Sequence, residues 1–450
     1  MVILHIKTIE KLVINHLLLI IEVKTVLINL VQKIHKEEKV SLEETLAQNL
    51  VVVSLVAKMI SLKPIKHISK HYLEDLGFLW HTDNDNSNYL SNELVIITED
   101  EAHDYYEAVN ELYDMFIEAG EYIIQNNLFH EIGIPFNLVD IIKESWESDV
   151  HWHLYGRFDL AGGIDGKPIK LLEFNADTPT ALFESSIVQW AMLKANNLDE
   201  ASQFNGIYEA LIDNFKRTVT LQEDTSEFES LYEGWKFLFT SIKGNIEEEN
   251  TVRLLQHIAT QAGFETEFAY IDEIEFDDSG IFYNEEEYEL WFKLIPWEDI
   301  ALDEPDLALF LTHIIQNQKA IIFNPAYTLL FQNKAILKIL WDLYPNHPLL
   351  LETSFEPLQD KAQVIKPIYG REGGSIKILD KDGNILVKDT NDDYNNHKMI
   401  YQEYVELPQD NKGDSYQAGV FFAYEACGLG FRKGGKILDN MSKFVGHIIQ

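Results

Sequence analysis

The densest polar cluster in the chain is Leu154-Tyr155-Gly156-Arg157-Phe158-Asp159, followed by Leu172-Glu173-Phe174-Asn175-Ala176-Asp177. Strand alternation would put Arg157 with Asp159 on one face, and Glu173, Asn175 and Asp177 on one face likewise. Two such strands side by side would assemble an oxygen cage. Two carboxylates and an amide suit a hard cation such as Mg²⁺, which takes few protein ligands and completes its shell with water and phosphate. Arg157 would clamp phosphate. Acidic strand pairs are often salt-bridged surfaces, but Phe158, Leu171, Leu172 and Phe174 argue for a buried opposite face.

Three further sets follow. Ile365-Lys366-Pro367-Ile368-Tyr369-Gly370-Arg371-Glu372-Gly373-Gly374-Ser375 is an apolar run that ends in a lysine and a Gly-rich loop. Glycines let backbone N–H groups approach a phosphate, and a nearby lysine supplies the counter-charge. The run matches neither the P-loop nor the dinucleotide fingerprint, and by itself it reads as a turn as readily as a phosphate loop. Asn333-Lys334-Ala335 is expected to open a helix, a place where lysine is usually solvated. The last set is Tyr401-Gln402-Glu403-Tyr404, then Gln417 and Phe431-Arg432.

The elements that must position these residues are legible in part. Thr98-Glu99-Asp100-Glu101 is a capping-box pattern, and Val109, Leu112, Tyr113 and Phe116 continue on one helical stripe. Lys170–Asn175 reads as a strand. Thr178 is expected to cap the next helix with Pro179 at its first position, and Phe183, Ile187, Trp190 and Lys194 continue it. Residues 237–242, 249–263 and 266–271 alternate strand, helix and strand, as in a parallel α/β layer. Beyond Pro348 short β runs predominate, with a hairpin turn at Lys381-Asp382-Gly383-Asn384 between 375–379 and 385–388. The fold class is therefore α/β (α+β), with an antiparallel sheet closing the chain.

The 450 residues carry 36 Lys+Arg against 74 Asp+Glu, a net charge of -38. Such a field repels nucleic acid and anionic membranes and would concentrate a cationic small molecule. The lone Cys427 forms no internal disulfide, which leaves the cytoplasm as the default compartment, and its Ala426 and Gly428 neighbours suggest a tight buried turn rather than a nucleophile. Residues 1–66 contain 9 Lys and 6 acids, so their balance is opposite in sign to the rest. The apolar runs 12–21 and 50–57 are each shorter than the ~20 residues of a bilayer span, and no cleavage site follows the first. The segment 1–58 thus reads as an extension of doubtful status: an interfacial helix, or a stretch upstream of a true start at Met59.

Taken together and in this order, GRFD at 156–159, LLEFNADTPT at 171–180, Glu184 to Trp190, Asn333-Lys334, KPIYGREGG at 366–374 and Tyr401-Gln402 resemble the synthetase domain of the glutathionylspermidine synthase family, a branch of the ATP-grasp carboxylate–amine ligases. The resemblance covers 59–450. It implies an ATP-grasp fold with permuted element order, the metal-binding E-x-N preceding the ATP-binding lysines, with a pre-ATP-grasp-like α/β layer at about 228–330 and an ATP-binding lobe at about 331–450. It further implies that Asp159, Glu173 and Asn175 bind Mg²⁺, two ions in all, and that Arg157, Lys334 and Lys366 contact ATP phosphates beneath a mobile loop of Gly370, Gly373 and Gly374. Gln402, Tyr404 and Gln417 would line the adenine side. Arg371 and Arg432 would hold the carboxylate or its acyl phosphate, so that Arg157, Arg371 and Arg432 form the catalytic set, while Thr178, Glu184 and Arg371 would meet substrate. The implied partners are a peptide-like carboxylate, such as glutathione, and a polyamine-like amine. An amidase with a Cys nucleophile, which bifunctional members carry, is not expected, since 1–58 is short and lacks Cys. The alternative is a catalytically silent ATP-grasp module that binds nucleotide or a protein partner; the complete set of site residues weighs against decay.

Overall fold

The computed structural model describes residues 59–450 apart from 84, 390–393, 395 and 440, and the readings made for 1–58 lie outside the described residues. Met59–Gln450 form one compact unit. Its first long element, α1 (Glu99–Gln125), starts at a complete capping box: Thr98 accepts from the Glu101 amide at 3.1 Å, and the Glu101 carboxylate accepts from the Thr98 amide at 2.8 Å. The buried stripe of α1 holds Tyr105, Val109, Leu112, Phe116 and Ile123, as its periodicity requires.

Strands β1 (Gly156–Ala161) and β2 (Lys170–Asn175) follow and pair antiparallel, with Asp159 opposite Glu173, Phe158 opposite Phe174 and Arg157 opposite Asn175. This register separates chemistry from core. Phe158 and Phe174 stack at 3.8 Å and meet Phe116 of α1 edge-on at 5.7 and 5.2 Å. That face belongs to the core, so alternation turns Arg157, Asp159, Glu173 and Asn175 the other way.

β3 (Lys236–Ser241), α2 (Ile246–Ala262), β4 (Glu265–Tyr270), β5 (Leu290–Lys293), α3 (Trp297–Asp303) and β6 (Ile321–Phe323) build the expected α/β layer, a parallel sheet in the order β6-β5-β3-β4. Both faces of such a sheet are covered, which explains the unbroken apolar runs Phe237-Leu238-Phe239 and Leu290-Trp291-Phe292, all fully or nearly buried. After α4 (Ile336–Leu343), β7 (Gln363–Pro367), β8 (Lys377–Leu379), β9 (Ile385–Lys388) and β10 (Met399–Glu403) form an antiparallel sheet edged by Thr353–Ser354. The hairpin turn falls between β8 and β9, closed by Asp380 and Asn384. β11 (Ser415–Ala423) then returns to pair with β1 across more than 250 residues of chain, and β12 (Glu425–Gly434) pairs with β11 on its other side.

Two local readings are corrected. Thr178 caps no helix: Ala181 takes φ +62°, helical backbone begins only at Leu182, and its first turns, Glu184–Val188, are a π-helix with no side-chain cap. Thr-Pro suggests a cap only if the following residues stay right-handed, and Ala181 does not. Lys334 does not open a helix in solvent. It lies between Thr328–Gln332 and α4 and is 8% exposed, its amide bonded to the Ile368 carbonyl. Cys427 is buried, and burial pushes its thiol up, as a structural role requires, but it lies within strand β12 rather than in the tight turn that its Ala and Gly neighbours suggested.

Candidate active site

A cleft of 320 Å³ runs between the β1/β2/β11/β12 sheet and the β7–β10 sheet. All the site residues singled out from the sequence line it, save Glu184. β1 supplies Arg157 and Asp159, locked together by two bonds, Nε to Oδ1 at 2.6 Å and Nη2 to Oδ2 at 3.0 Å. The remaining guanidinium nitrogen donates to the Thr180 carbonyl at 2.6 Å. Arg157 needs room over β11: a Cβ at Gly419 would stand 3.0 Å from its Cδ.

From the other side come two lysines. Lys334 Nζ lies 3.2 Å from Glu173 Oε2 and donates to the Gly370 carbonyl at 2.6 Å. Lys366, on β7, donates to Gln402 Oε1 at 2.7 Å and to the Leu172 carbonyl at 3.2 Å. Burial alone would raise the Glu173 carboxyl, but Lys334 and Lys366 beside it win and hold it below its ordinary range. The same burial works against a cation, and it pulls Lys366 down to about 8.

The oxygen set fits a hard cation. Asp159 and Glu173 stand opposite one another, Asn175 is next on the same face, and the Asn175 amide nitrogen is buried with no partner among the described residues. Lys334 and Arg157 neutralise the two carboxylates here. Two carboxylates and one amide fall short of three acidic or histidine ligands, and among the described residues no group of three such ligands exists; Mg²⁺ needs no such group when water and phosphate complete its shell.

The Gly370–Gly374 loop hangs over these cations. Gly373 takes φ +71°, and a Cβ there would lie 2.6 Å from the Leu438 carbonyl oxygen, so only glycine seats the loop. Arg371 reaches to the α3 carboxylates, bonded to Glu298 and, at 3.3 Å, to Asp299. Arg432 lies opposite Gln417 on β11/β12 and donates to the Asp439 carbonyl. Gln417 therefore shares the sheet of Arg157 and Asp159, whereas Gln402 and Tyr404 belong to the β7–β10 side.

Glu184 stands apart. It is fully buried and accepts from Trp80 Nε1 at 2.9 Å, behind the cleft rather than on its wall. Its influence is electrostatic: burial first, and then the Glu184 charge, push Glu247 up to about 8.

Asp177, expected on the face of Glu173 and Asn175, does not line the cleft but turns to the parallel layer, whose own groups the sequence reasoning missed. Asp177 and Lys293 form a fully buried pair at 2.8 Å, and Asp177 also accepts from the Trp297 amide at 2.9 Å, which pins the start of α3 to the end of β2. Glu248 and Asp299 then line the cleft's α/β end, with Glu298 buried beside it on Arg371 and Glu247 close enough to feel the charges of Arg432 and Glu372. The acidic first turns Glu247-Glu248-Glu249 and Glu298-Asp299 were the available signal, but they read equally as ordinary helix starts.

A family model described as "Glutathionylspermidine synthase preATP-grasp" matches residues 60–450. The chain is 29% identical over 391 residues to a Haemophilus influenzae protein named "Putative acid--amine ligase", covering 83% of this chain and 95% of that one. It is 27% identical over 341 residues to the bifunctional glutathionylspermidine synthetase/amidase of Escherichia coli, and 25% identical over 359 residues to the trypanothione synthetase of Crithidia fasciculata. These alignments cover 70% and 74% of this chain and 52% of each of those two relatives, so the chain spans about half their length. Among solved structures, a glutathione synthetase-like effector from Globodera pallida in its apo form superposes with a TM-score of 0.50 at 10% identity, covering 86% of this chain and 100% of that one. At that identity the likeness speaks for the ATP-grasp-type fold alone.

Proposed function

Because the chain belongs to the glutathionylspermidine synthase family, we propose that it is an ATP-dependent acid–amine ligase that joins a peptide-like carboxylate to a polyamine-like amine through an acyl phosphate. The observation that carries this reading is the convergence of Arg157, Lys334 and Lys366 on the Asp159, Glu173 and Asn175 oxygens in one cleft under a glycine loop. Asp159, Glu173 and Asn175 would hold Mg²⁺, which when bound draws charge off the phosphate oxygens. The three cations offset the remaining phosphate charge, and Gly370–Gly374 covers the reacting atoms against water.

Arg371 and Arg432 receive the substrate carboxylate. Its oxygen takes the γ-phosphoryl group with loss of ADP, and the amine nitrogen then attacks the acyl carbon, loses a proton and expels phosphate. Thr178 lies on the wall close by. Glu247, Glu248, Glu298 and Asp299 make the α/β end acidic, which suits the ammonium groups of the amine. Glutathione and spermidine are the first pair to test, on the names of the relatives.

The test is ADP release from ATP and Mg²⁺ across peptides crossed with amines, with product masses read. Release that requires both substrates, with a product lighter than their sum by one water, is expected. ATP binding without release for any pair would favour a silent module. In the same assay Glu173→Ala should lower turnover by about 10²-fold or more while leaving the thermal melt in place; turnover that survives the change would remove Glu173 from the metal set.

A further inference from the structure

A second cavity, of 820 Å³, opens where α1, the 148–153 segment and the β11–β12 turn meet, and it shares no lining residue with the ATP cleft. Its walls are aromatic: Tyr106, Tyr113, Trp146, Trp152, Phe422 and Tyr424. Tyr113 stacks on Phe422 at 3.9 Å, and Trp152 lies parallel to Tyr424 at 6.2 Å. The rings are held in place by partly buried bonds. Trp152 Nε1 donates to Asn214 at 2.9 Å, and Tyr113 shares a 3.2 Å bond with His153. Tyr424 itself sits at φ +71° between paired Ala423 and Glu425, a turn position where glycine or asparagine is ordinary and a bulky ring is not.

The charges are one-sided. Asp114, Asp149 and Glu425 line the cavity, and neither lysine nor arginine does. Glu425 is engaged by the Tyr106 hydroxyl at 2.6 Å, while Asp114 and Asp149 are exposed at the mouth. Tyr424 already accepts one cation on its ring, the Arg217 guanidinium at 4.2 Å. Inside, His151 is 7% exposed and its Nδ1 has no hydrogen-bond partner among the described residues. Burial also pulls its pKa down to about 4, so at neutral pH the ring adds no positive charge.

An anionic ligand would meet only carboxylates among the charged lining residues, and a neutral apolar one would gain nothing from the acidic mouth. Aromatic faces and carboxylates, with no lysine or arginine among the lining residues and Arg217 held on the Tyr424 ring from outside that lining, together select a positively charged organic group. We propose that this cavity is a second ligand site, independent of the ligase cleft, that binds an organic ammonium ion between the Trp152/Tyr424 and Tyr113/Phe422 faces with Asp149 and Asp114 at its rim.

The probe is tetramethylammonium, whose nitrogen has no lone pair and so cannot serve as an amine substrate; the outcome is thereby separate from that of the ligase reading. Equilibrium dialysis of the full chain with the radiolabelled ion, at constant low ionic strength, should show about one saturable equivalent, with neutral tert-butanol failing to compete. Trp152→Leu and Asp149→Asn should each weaken binding about three- to tenfold, and Glu173→Ala should leave it unchanged. Asp149 is exposed, so its variant carries the test if Trp152→Leu unfolds. No saturable binding, unchanged binding in a folded Asp149→Asn, or binding abolished by Glu173→Ala would each overturn the proposal.

Discussion

Lys366 carries opposing demands. The phosphate contact proposed for it needs a cation, yet burial against Gln402 and the Leu172 carbonyl lowers it to about 8. Below pH 8 the folded chain holds it charged; between pH 8 and its ordinary value near 10.5 the folded chain holds it neutral while the unfolded chain binds a proton. This group's burden on stability is therefore greatest below pH 8 and lifts as pH rises toward 10.5. Phosphate binding runs the other way, since the charge it needs disappears. ADP affinity, read by calorimetry, should fall as pH climbs from 7.5 to 9.5, by up to about tenfold per unit, and Lys366→Arg should flatten that slope because arginine stays charged. Glu247 is the mirror case. Raised to about 8 by burial and by Glu184, it must lose its proton before it can pair with an ammonium. The KM for the amine should therefore fall from pH 6.5 to 8, and Glu247→Gln should abolish that trend. At this scale the cleft was legible where alternation decides, as for Arg157, Asp159, Glu173 and Asn175. It was not legible for Asp177–Lys293 or Arg371–Glu298, partners 116 and 73 residues apart whose meeting is set by the fold's path.

Among the elements, local chemistry predicted what local chemistry determines. The Thr98 capping box, the strand–helix–strand run and the Asp380–Asn384 turn each formed within a few residues of the expected bounds. Thr178 misled because the signal for a cap is the same whether or not the next residue turns left-handed, and Ala181 does. Pairing of β11 with β1 had no sequence signal, as no short-range pattern records a partner 250 residues away. The loop between β7 and β8 is the element on which turnover should hinge. Its seat depends on Gly373 at φ +71° against the Leu438 carbonyl, and in the described state Arg371 ties it to α3. On the proposed function, closure over ATP would keep the first contact, and carboxylate binding would compete with the second. Gly373→Ala should therefore cut kcat about tenfold or more through failed closure, with little change in the melting temperature. A melt that falls in parallel with kcat would instead mark Gly373 as a fold residue.

For the molecule as a whole, the charge of -38 admits two accounts. It can be a solubilising surface, or a field that helps gather a cationic substrate into a cleft whose α/β end is itself acidic. Salt separates them. Surface charges are screened over a Debye length of about 10 Å at 0.1 M ionic strength, so long-range attraction fades while contacts inside the cleft persist. If the field steers the amine, kcat/KM for the amine should drop several-fold between 50 and 500 mM NaCl, while kcat/KM for the carboxylate, which approaches against the same field, should hold or rise. Opposite slopes for two substrates of one active site cannot come from a general effect of salt on stability or on ATP binding, because either would move both alike. Equal slopes would assign the charge to solubility and leave recognition of the amine to Glu247, Glu248, Glu298 and Asp299 alone.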